Sequence, residues 1–171
     1  MATGFTDLNT IHNPATGTSP PASWGDGVRD DFDALYNPPL AHVWNSAAQS
    51  IADSTDTVLT FNSEYEDTDT LHSTSVNTGR FTATRAGWYE VRVYFEWVAN
   101  ATGRRRVGIR KNATALVYDT RNAVASGATA GVLTWLVDLT VFDYVDVVAL
   151  QASGGALNVT AQTQIVQVSG T

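Results

Sequence analysis

Two long stretches of this chain are apolar at every second position, and this alternation constrains the fold more than any other feature. Within residues 89–97 the apolar side chains alternate with charged residues and one tyrosine. Residues 133–141 repeat the pattern. Successive side chains of a strand point to opposite faces of a sheet, so both stretches predict antiparallel strands with one buried face.

Shorter apolar stretches predict further strands, and they are separated by turn residues such as Ser153-Gly154-Gly155. They cover residues 57–61, 80–84, 104–110, 116–119, 144–150 and 157–168. About eight strands with one helical pattern predict an all-β chain, either a sandwich or a jelly roll. We expect Trp88, Trp97 and Trp135 to lie in or near its core.

One predicted strand, residues 144–150, is apolar on both faces. Val132 and Leu136 also add apolar side chains to the polar face of their own strand. A two-layer sandwich covers one face of each sheet, so these side chains need a second cover. A loop, an N-terminal helix or a neighbouring subunit would supply it, and oligomerisation is therefore an expectation from the residue pattern alone.

The composition changes at Pro38-Pro39. Residues 13–22 are rich in Pro, Gly and Thr and hold too few apolar residues for a packed core. Residues 23–36 have a helical period, with Ser23 as N-cap. The apolar stripe of this predicted helix consists of Trp24, Val28, Phe32, Leu35 and Tyr36. A helix this short is marginal alone, so the stripe is expected to dock on its own domain or on a partner protein. The chain thus divides into an arm, residues 1–40, and a β domain, residues 41–171.

Composition excludes several classes of function. The 171 residues contain no cysteine, which excludes disulfides and thiolate metal sites. The net charge of −7 argues against nucleic acid as a partner, because a phosphate-binding surface must be basic. No apolar run approaches the ~20 residues that cross a bilayer. Residues 1–10 lack the basic and apolar regions of a secretory signal. We expect no cofactor.

An acidic cluster is the best candidate for a metal site. Glu64, Glu66, Asp67 and Asp69 offer oxygen ligands of the kind that calcium prefers, with His72 nearby. However, their spacing is not that of an EF-hand loop, and no glycine supplies its sharp turn. The cluster is therefore a weak calcium candidate, and the pattern favours a solvated acidic loop.

Candidate catalytic residues are equally weak. Asp138, Asp143 and Asp146 are close in sequence, and paired carboxylates can cleave glycosides. Asp138 and Asp146 nevertheless fit the alternation of their own strands. No G-x-S-x-G is present for a serine nucleophile. We therefore expect no catalytic residues and no enzyme activity.

Arg104, Arg105 and Arg106, together with Arg110 and Lys111, form the only basic cluster of the sequence. It would meet an acidic protein surface or an anionic glycan. The alternative is a charge-balanced hairpin, which the pattern favours because runs of like charge are usually solvated.

Four segments in order resemble the C1q/TNF-like family. They are residues 59–61, residues 80–83 leading into Ala86-Gly87-Trp88-Tyr89, then Ile109-Arg110-Lys111-Asn112, and residues 143–147. Phe142 stands where the family usually has glycine. The resemblance covers residues 41 to 169 and implies a compact jelly roll that forms a homotrimer. By this resemblance residues 144–150 line the threefold axis, and the expected interface consists of Tyr144, Val148, Leu150, Val132 and Leu136.

The arm resembles the N-terminus of small structural proteins of phages that infect actinobacteria and similar hosts. The residues concerned are Asn13-Pro14-Ala15-Thr16-Gly17, residues 20–32 and Asn37-Pro38-Pro39. Residues 66–73 also resemble a segment that recurs in phage members of the jelly-roll group. The resemblance implies an arm that binds a virion shell, tail or baseplate.

Together these features predict a non-enzymatic virion protein on the outer surface of a phage particle. The expected form is a trimeric capsid decoration or head-fibre protein, held to the major capsid protein or another virion protein by the arm. The capsid is favoured slightly because the chain has no fibrous shaft. The alternative is a minor tail, baseplate or receptor-binding protein that recognises carbohydrate on the host surface.

Overall fold

A computed structural model describes Phe32 and residues 36–170. The described residues form eleven β-strands. In chain order these are β1 (Leu40–Trp44), β2 (Gln49–Ile51), β3 (Thr57–Val58), β4 (Ser63–Asp67), β5 (Arg80–Thr82), β6 (Gly87–Trp97), β7 (Arg104–Lys111), β8 (Thr114–Asn122), β9 (Thr129–Leu139), β10 (Tyr144–Gln151) and β11 (Leu157–Gly170).

The strands form two sheets. Sheet 1 has the order β4-β1-β11-β6-β9, with β2 also paired to β11. Sheet 2 has the order β3-β10-β7-β8, with β5 also paired to β10. The paired strands of both sheets are antiparallel, so the predicted all-β jelly-roll class is confirmed.

The core lies between the sheets, where the alternating residues of the long strands meet. The five odd-numbered side chains from Tyr89 to Trp97 are all buried. The Tyr89 hydroxyl donates a hydrogen bond to the Arg85 carbonyl at 2.7 Å, and burial raises the pKa of this tyrosine. Of the three tryptophans expected in or near the core, only Trp97 is buried.

Trp88 and Trp135 are both more than two-fifths exposed, which corrects that expectation. Trp88 is an even-numbered residue of β6 and therefore points away from the core. Trp135 pairs with the buried Val91, but β9 is the edge strand of sheet 1, so no further strand of that sheet covers it.

Among the turns in which a residue other than glycine has left-handed backbone, two connect long strands. Asn112 and Ala113 join β7 to β8 with φ of 49° and 64°, as a two-residue type I′ hairpin requires. Phe142 has a φ of 72° in the turn that connects β9 of sheet 1 with β10 of sheet 2. Glycine tolerates this conformation without strain, whereas a bulky residue rarely adopts it.

No helix in the described part of the chain is long and apolar enough to cross a membrane.

Candidate functional site

The outer face of sheet 1 carries apolar side chains that the described chain leaves uncovered. Tyr94 of β6 pairs with Val132 of β9, and two residues further along Arg92 pairs with Thr134. The next pair on this face includes Leu136. Cross-strand partners lie on the same face of a sheet, so Tyr94, Val132 and Leu136 share one surface. Val132 is 49 % exposed and Leu136 is 53 % exposed. We call these three residues and Trp88 the apolar face of sheet 1.

Aromatic residues extend this surface toward the other edge of the sheet. Trp44 and Tyr94 flank Gln162, which pairs with both across β1, β11 and β6. The exposed Tyr65 ring lies over Trp44, with ring centroids 4.0 Å apart, and next to His42 at 4.7 Å. Aromatic and aliphatic groups in this arrangement are typical of a protein interaction surface.

The outer face of sheet 2 is closed by its own arginine side chains. Arg110 donates from Nε and Nη2 to the two carboxylate oxygens of Asp146 at 2.6 and 2.8 Å. The hydrogen bond to Asp146 raises the pKa of Arg110. Arg106 donates to Asp56 at 2.5 Å, and its guanidinium carbon lies 4.5 Å from the ring centroid of Tyr118. Ion pairs and stacked guanidinium groups thus cover this face.

The five residues expected at the trimer interface are divided between these two faces. Val132 and Leu136 belong to the apolar face of sheet 1, whereas Tyr144, Val148 and Leu150 lie on the outer side of β10 in sheet 2. Val148 is only 2 % exposed and Leu150 only 8 % exposed.

The chain itself supplies the cover that β10 requires. Val148 pairs with Val58 on one side and with Gly108 on the other, and Leu150 pairs with Arg106. The Tyr118 ring lies over Gly108, where an added Cβ would come within 2.3 Å of the ring. Neighbouring strands and side chains of the same domain thus bury Val148 and Leu150, so these residues need neither a neighbouring subunit nor the N-terminal helix to cover them.

The predicted basic cluster is not a continuous patch. Arg104 and Arg106 lie on the outer face of sheet 2, while Arg105 points inward and is 1 % exposed. Arg105 donates to the carbonyl oxygens of Asn100 and Thr102 at 3.1 and 2.9 Å, and burial lowers its pKa.

Three of the other four members, Arg106, Arg110 and Lys111, are neutralised by carboxylates, whereas Arg104 forms no ion pair within residues 36–170. Arg110 pairs with Asp146 as described, and Lys111 lies 2.8 Å from Asp143. Charge balance, the alternative favoured from the residue pattern, therefore describes Arg106, Arg110 and Lys111.

Most of the acidic cluster lies on a strand. Glu64, Glu66 and Asp67 lie on the edge strand β4, which pairs with β1, and Asp69 follows that strand. Within residues 36–170, no three or more His, Asp or Glu side chains form a group that could hold a metal ion. Glu64 and Glu66 are exposed to solvent, as the interpretation as a solvated acidic loop requires, but they and Asp67 belong to an edge strand and only Asp69 lies in a loop.

Two of these carboxylates have structural roles. Asp67 accepts backbone N–H groups of Leu71 and His72 at 3.0 and 2.9 Å and so fixes the turn after β4. Asp69 accepts hydrogen bonds from the Thr84 hydroxyl and from Arg85. Both carboxylates therefore have hydrogen-bond partners within the domain.

The three aspartates considered for catalysis do not form a pair. Asp138 lies on the outer face of sheet 1 and Asp146 on that of sheet 2. Hydrogen bonds from Lys111 and Asn112 hold the pKa of Asp143 far below its usual range. The Asp143 carboxylate also accepts hydrogen bonds from Thr140, so it has a structural role in this turn.

Most of the predicted arm helix, residues 23–36, lies outside the described residues, including Trp24, Val28 and Leu35. Phe32 and Tyr36 are described and have helical backbone. Their rings stack with centroids 6.0 Å apart, and both side chains are more than half exposed. Phe32 and Tyr36 therefore share one exposed side, as their spacing of four residues predicts.

The residue pattern gave no indication of a cleft on sheet 2. Its volume is about 380 Å³, and its lining includes Val58, Asn77, Arg80, Arg110, Tyr144 and Asp146. The guanidinium carbon of Arg80 lies 4.2 Å from the ring centroid of Tyr144. These residues come from distant parts of the chain, so no local spacing could have predicted their contact.

Comparison with known proteins supports the fold. No protein-family model and no curated protein matches the chain. The globular domain of zebrafish complement 1qA matches with a TM-score of 0.63 and 15 % identity, over 78 % of this chain and 99 % of that one. Murine APRIL at pH 8.0 matches with a TM-score of 0.57 and 13 % identity, over 77 % of this chain and 100 % of that one.

A virion protein is also among the structural neighbours. The PRD1 vertex protein P5 matches with a TM-score of 0.60 and 14 % identity, over 76 % of this chain and 73 % of that one. Identities this low show the fold alone. The chain therefore has an all-β, C1q/TNF-like jelly-roll fold.

Proposed function

We propose that the chain is a non-enzymatic structural protein of a phage virion, which assembles as a homotrimer and is attached through its N-terminal arm. Three features support this proposal. They are the apolar face of sheet 1, the resemblance of the arm to those of phage structural proteins, and the fold shared with the PRD1 vertex protein P5.

The apolar face of sheet 1 is the observation that carries the proposed trimer. Val132 and Leu136 project from a strand whose other face already packs in the core. Exposed apolar side chains at neighbouring cross-strand positions are unfavourable in water and are typical of a buried contact. We therefore assign the trimer contact to this face, and not to the outer side of β10.

The junction between arm and domain is well held. The Thr68 hydroxyl donates to the Pro38 carbonyl at 2.9 Å, and the backbone N–H of Leu40 donates to the Thr68 hydroxyl oxygen at 3.0 Å. The backbone N–H of Gln167 donates to the Pro39 carbonyl at 2.9 Å. The arm thus begins from a fixed point on the jelly roll.

A trimer would present three such arms. Each arm offers the apolar stripe that includes Trp24, Phe32 and Tyr36 as its anchor. Linked binding events share a high effective concentration, so three weak contacts together give stable attachment. The partner in this proposal is the major capsid protein or another virion protein, and the β domain stands on the outer surface of the particle.

The proposed trimer is tested by the solution mass of the full chain, measured by light scattering. We expect a trimer for the wild type and a monomer for Val132→Asp, because a carboxylate would be buried without a partner at the contact. Val76→Asp is the matched control, since Val76 is exposed in a loop away from sheet 1 and the trimer should persist. A wild-type monomer, or a trimer that survives Val132→Asp, would contradict the assignment.

Attachment is tested separately with a chain that lacks residues 1–37, which keeps β1 and the contacts of Pro38 and Pro39 with the domain. We expect the full chain to co-sediment with phage particles, whereas the shortened chain forms a trimer and stays in the supernatant. Sedimentation with isolated heads indicates a capsid decoration or head-fibre protein, and sedimentation with isolated tails indicates the tail or baseplate alternative. Binding that persists without the arm would contradict arm-mediated anchoring.

A further inference from the structure

The open cleft on the outer face of sheet 2 is large enough for a small ligand. It opens to solvent on the outer face of that sheet, between β7, β10 and the loop that precedes β5. It faces away from the apolar face of sheet 1, so the proposed trimer would leave it accessible. Its volume of about 380 Å³ is at the small end of the range for small-molecule sites.

Arg80 supplies a positive charge in this cleft. Its side chain is exposed, and no described carboxylate lies within ion-pairing distance of it. The Tyr144 ring supports the guanidinium group from one side. Stacking restricts the side chain, so its N–H groups are positioned for a planar anion at a reduced entropic cost.

Asp146 is the cross-strand neighbour of Arg80, but it does not cancel the charge of Arg80 because Arg110 occupies both of its carboxylate oxygens. Arg110 and Asp146 neutralise each other, and the Asp146 side chain is only 4 % exposed. The ionisable lining therefore consists of one closed ion pair and the unpaired Arg80. A local positive charge in a chain of net charge −7 favours an anionic ligand.

Neutral hydrogen-bonding groups surround Arg80. Asn77, Thr78 and Tyr144 line the cleft, and their side chains carry an amide and two hydroxyl groups. None of the three makes a side-chain hydrogen bond to another residue within 36–170. They are free to bind the hydroxyl groups of a ligand.

We propose that the cleft binds a carboxylated sugar residue, with the carboxylate on Arg80 and the sugar hydroxyls on Asn77, Thr78 and Tyr144. A guanidinium group binds a carboxylate through two parallel hydrogen bonds. The surrounding amide and hydroxyl groups match the several hydroxyls of a sugar ring better than they match a bare inorganic anion or an apolar side chain. This inference goes beyond virion attachment and does not depend on it.

Binding is tested on the full chain by titration with glucuronate, galacturonate and N-acetylneuraminate, followed by NMR chemical shifts or calorimetry. We expect saturable binding of at least one of them, and little binding of glucose, which has the ring but lacks the carboxylate. Arg80→Gln should weaken binding roughly 10- to 100-fold, the range expected for a lost charge-assisted pair. Arg104→Gln is the matched control on the same sheet face and should bind like the wild type.

Several outcomes would overturn the proposal. One is the absence of binding to all three acidic sugars, and another is undiminished binding by Arg80→Gln. Inorganic phosphate that binds as tightly as the acidic sugars would indicate a general anion site, and an N-acetylglutamate peptide that binds more tightly would indicate a peptide site. None of these results bears on the solution mass or on co-sedimentation, so this proposal and the proposed virion role fail independently.

Discussion

The outer faces of the two sheets differ in how far their apolar side chains are exposed to solvent. In sheet 2 the chain covers Val148 and Leu150 with neighbouring strands and with arginine side chains that are paired or stacked. In sheet 1 Val132 and Leu136 remain about half exposed. An apolar residue on a strand therefore indicates an interface only when its own sheet cannot cover it.

The position of each strand explains the difference. β10 is an inner strand of sheet 2 with partners on both sides, whereas β9 is the edge of sheet 1. Long arginine stems can lie over apolar neighbours while their charged ends pair with carboxylates. Sheet 2 has such pairs at Arg106 and Arg110, and no corresponding pair covers Val132 within residues 36–170.

The largest loss of stability is expected from a substitution on the outer face of sheet 2, which arginine side chains cover. Arg110→Ala would leave the buried Asp146 carboxylate without its partner and should lower the free energy of unfolding by about 3 kcal/mol. Arg104→Ala, an exposed arginine on the same strand, should change it by less than about 0.5 kcal/mol. The measurement is urea unfolding at one fixed protein concentration, because assembly makes stability depend on concentration.

The double variant Arg110→Ala/Asp146→Ala serves as the control for the ion pair. It removes both charges, so it should lose less stability than Arg110→Ala alone. Equal effects of Arg110→Ala and Arg104→Ala would show that the pair does not close this face.

Substitutions of two leucines of β9 allow a direct comparison between the buried and the exposed face of sheet 1. Leu133→Ala should cost about 3 kcal/mol because the side chain is buried in the core. Leu136→Ala should cost less than about 0.5 kcal/mol when measured in the monomeric Val132→Asp background. Thermal or urea unfolding distinguishes the two, and similar losses would mean that Leu136 is covered within the monomer.

The turn between the sheets should make stability depend on pH. The pKa of Asp143 is lowered in the folded state by hydrogen bonds from Lys111, Asn112 and Thr140. Ionised Asp143 therefore adds to the free energy of unfolding above the ordinary carboxyl pKa of about 4. This stabilisation is lost as the pH falls toward the lowered pKa of the folded state.

Asp143→Asn tests this dependence. The variant should be about 1–2 kcal/mol less stable than the wild type at pH 7, and the gap should narrow below about pH 4. Asp138→Asn also removes one negative charge but breaks no ion pair in the described part of the chain, so it is the control. A gap that stays constant between pH 7 and pH 2 would contradict the proposed role of Asp143.

The smallest effect is expected at Phe142, in the same turn. Its φ of 72° is costly for a bulky residue, and its side chain is 83 % exposed. Phe142→Gly should relieve the strain and raise the free energy of unfolding by up to about 1 kcal/mol. Phe142→Ala keeps the strained backbone and should show no gain. A loss of stability with both variants would indicate that the Phe142 ring has a packing role.

The alternation of residues predicted the long strands and hence the all-β class. It placed β6, β10 and β11 well, since their apolar positions repeat over many residues. It missed β1, β2 and β4, because strands of three to five residues offer too few positions for an apolar period and β4 is also rich in acidic side chains. Polar edge strands of this kind are defined by their hydrogen-bonded partners and not by their own residues.

The candidate interaction surfaces were harder to predict from the sequence than the strands were. The residue pattern showed that the chain has more apolar side chains than a two-layer sandwich can bury, and it identified Val132 and Leu136 among them. The packing of distant strands defined which of these side chains are covered, and it brought Arg80 onto Tyr144 to form a cleft. The physical reason is that periodicity reports which face of its own strand a residue occupies, whereas cover and cleft formation depend on strands that are distant in the sequence.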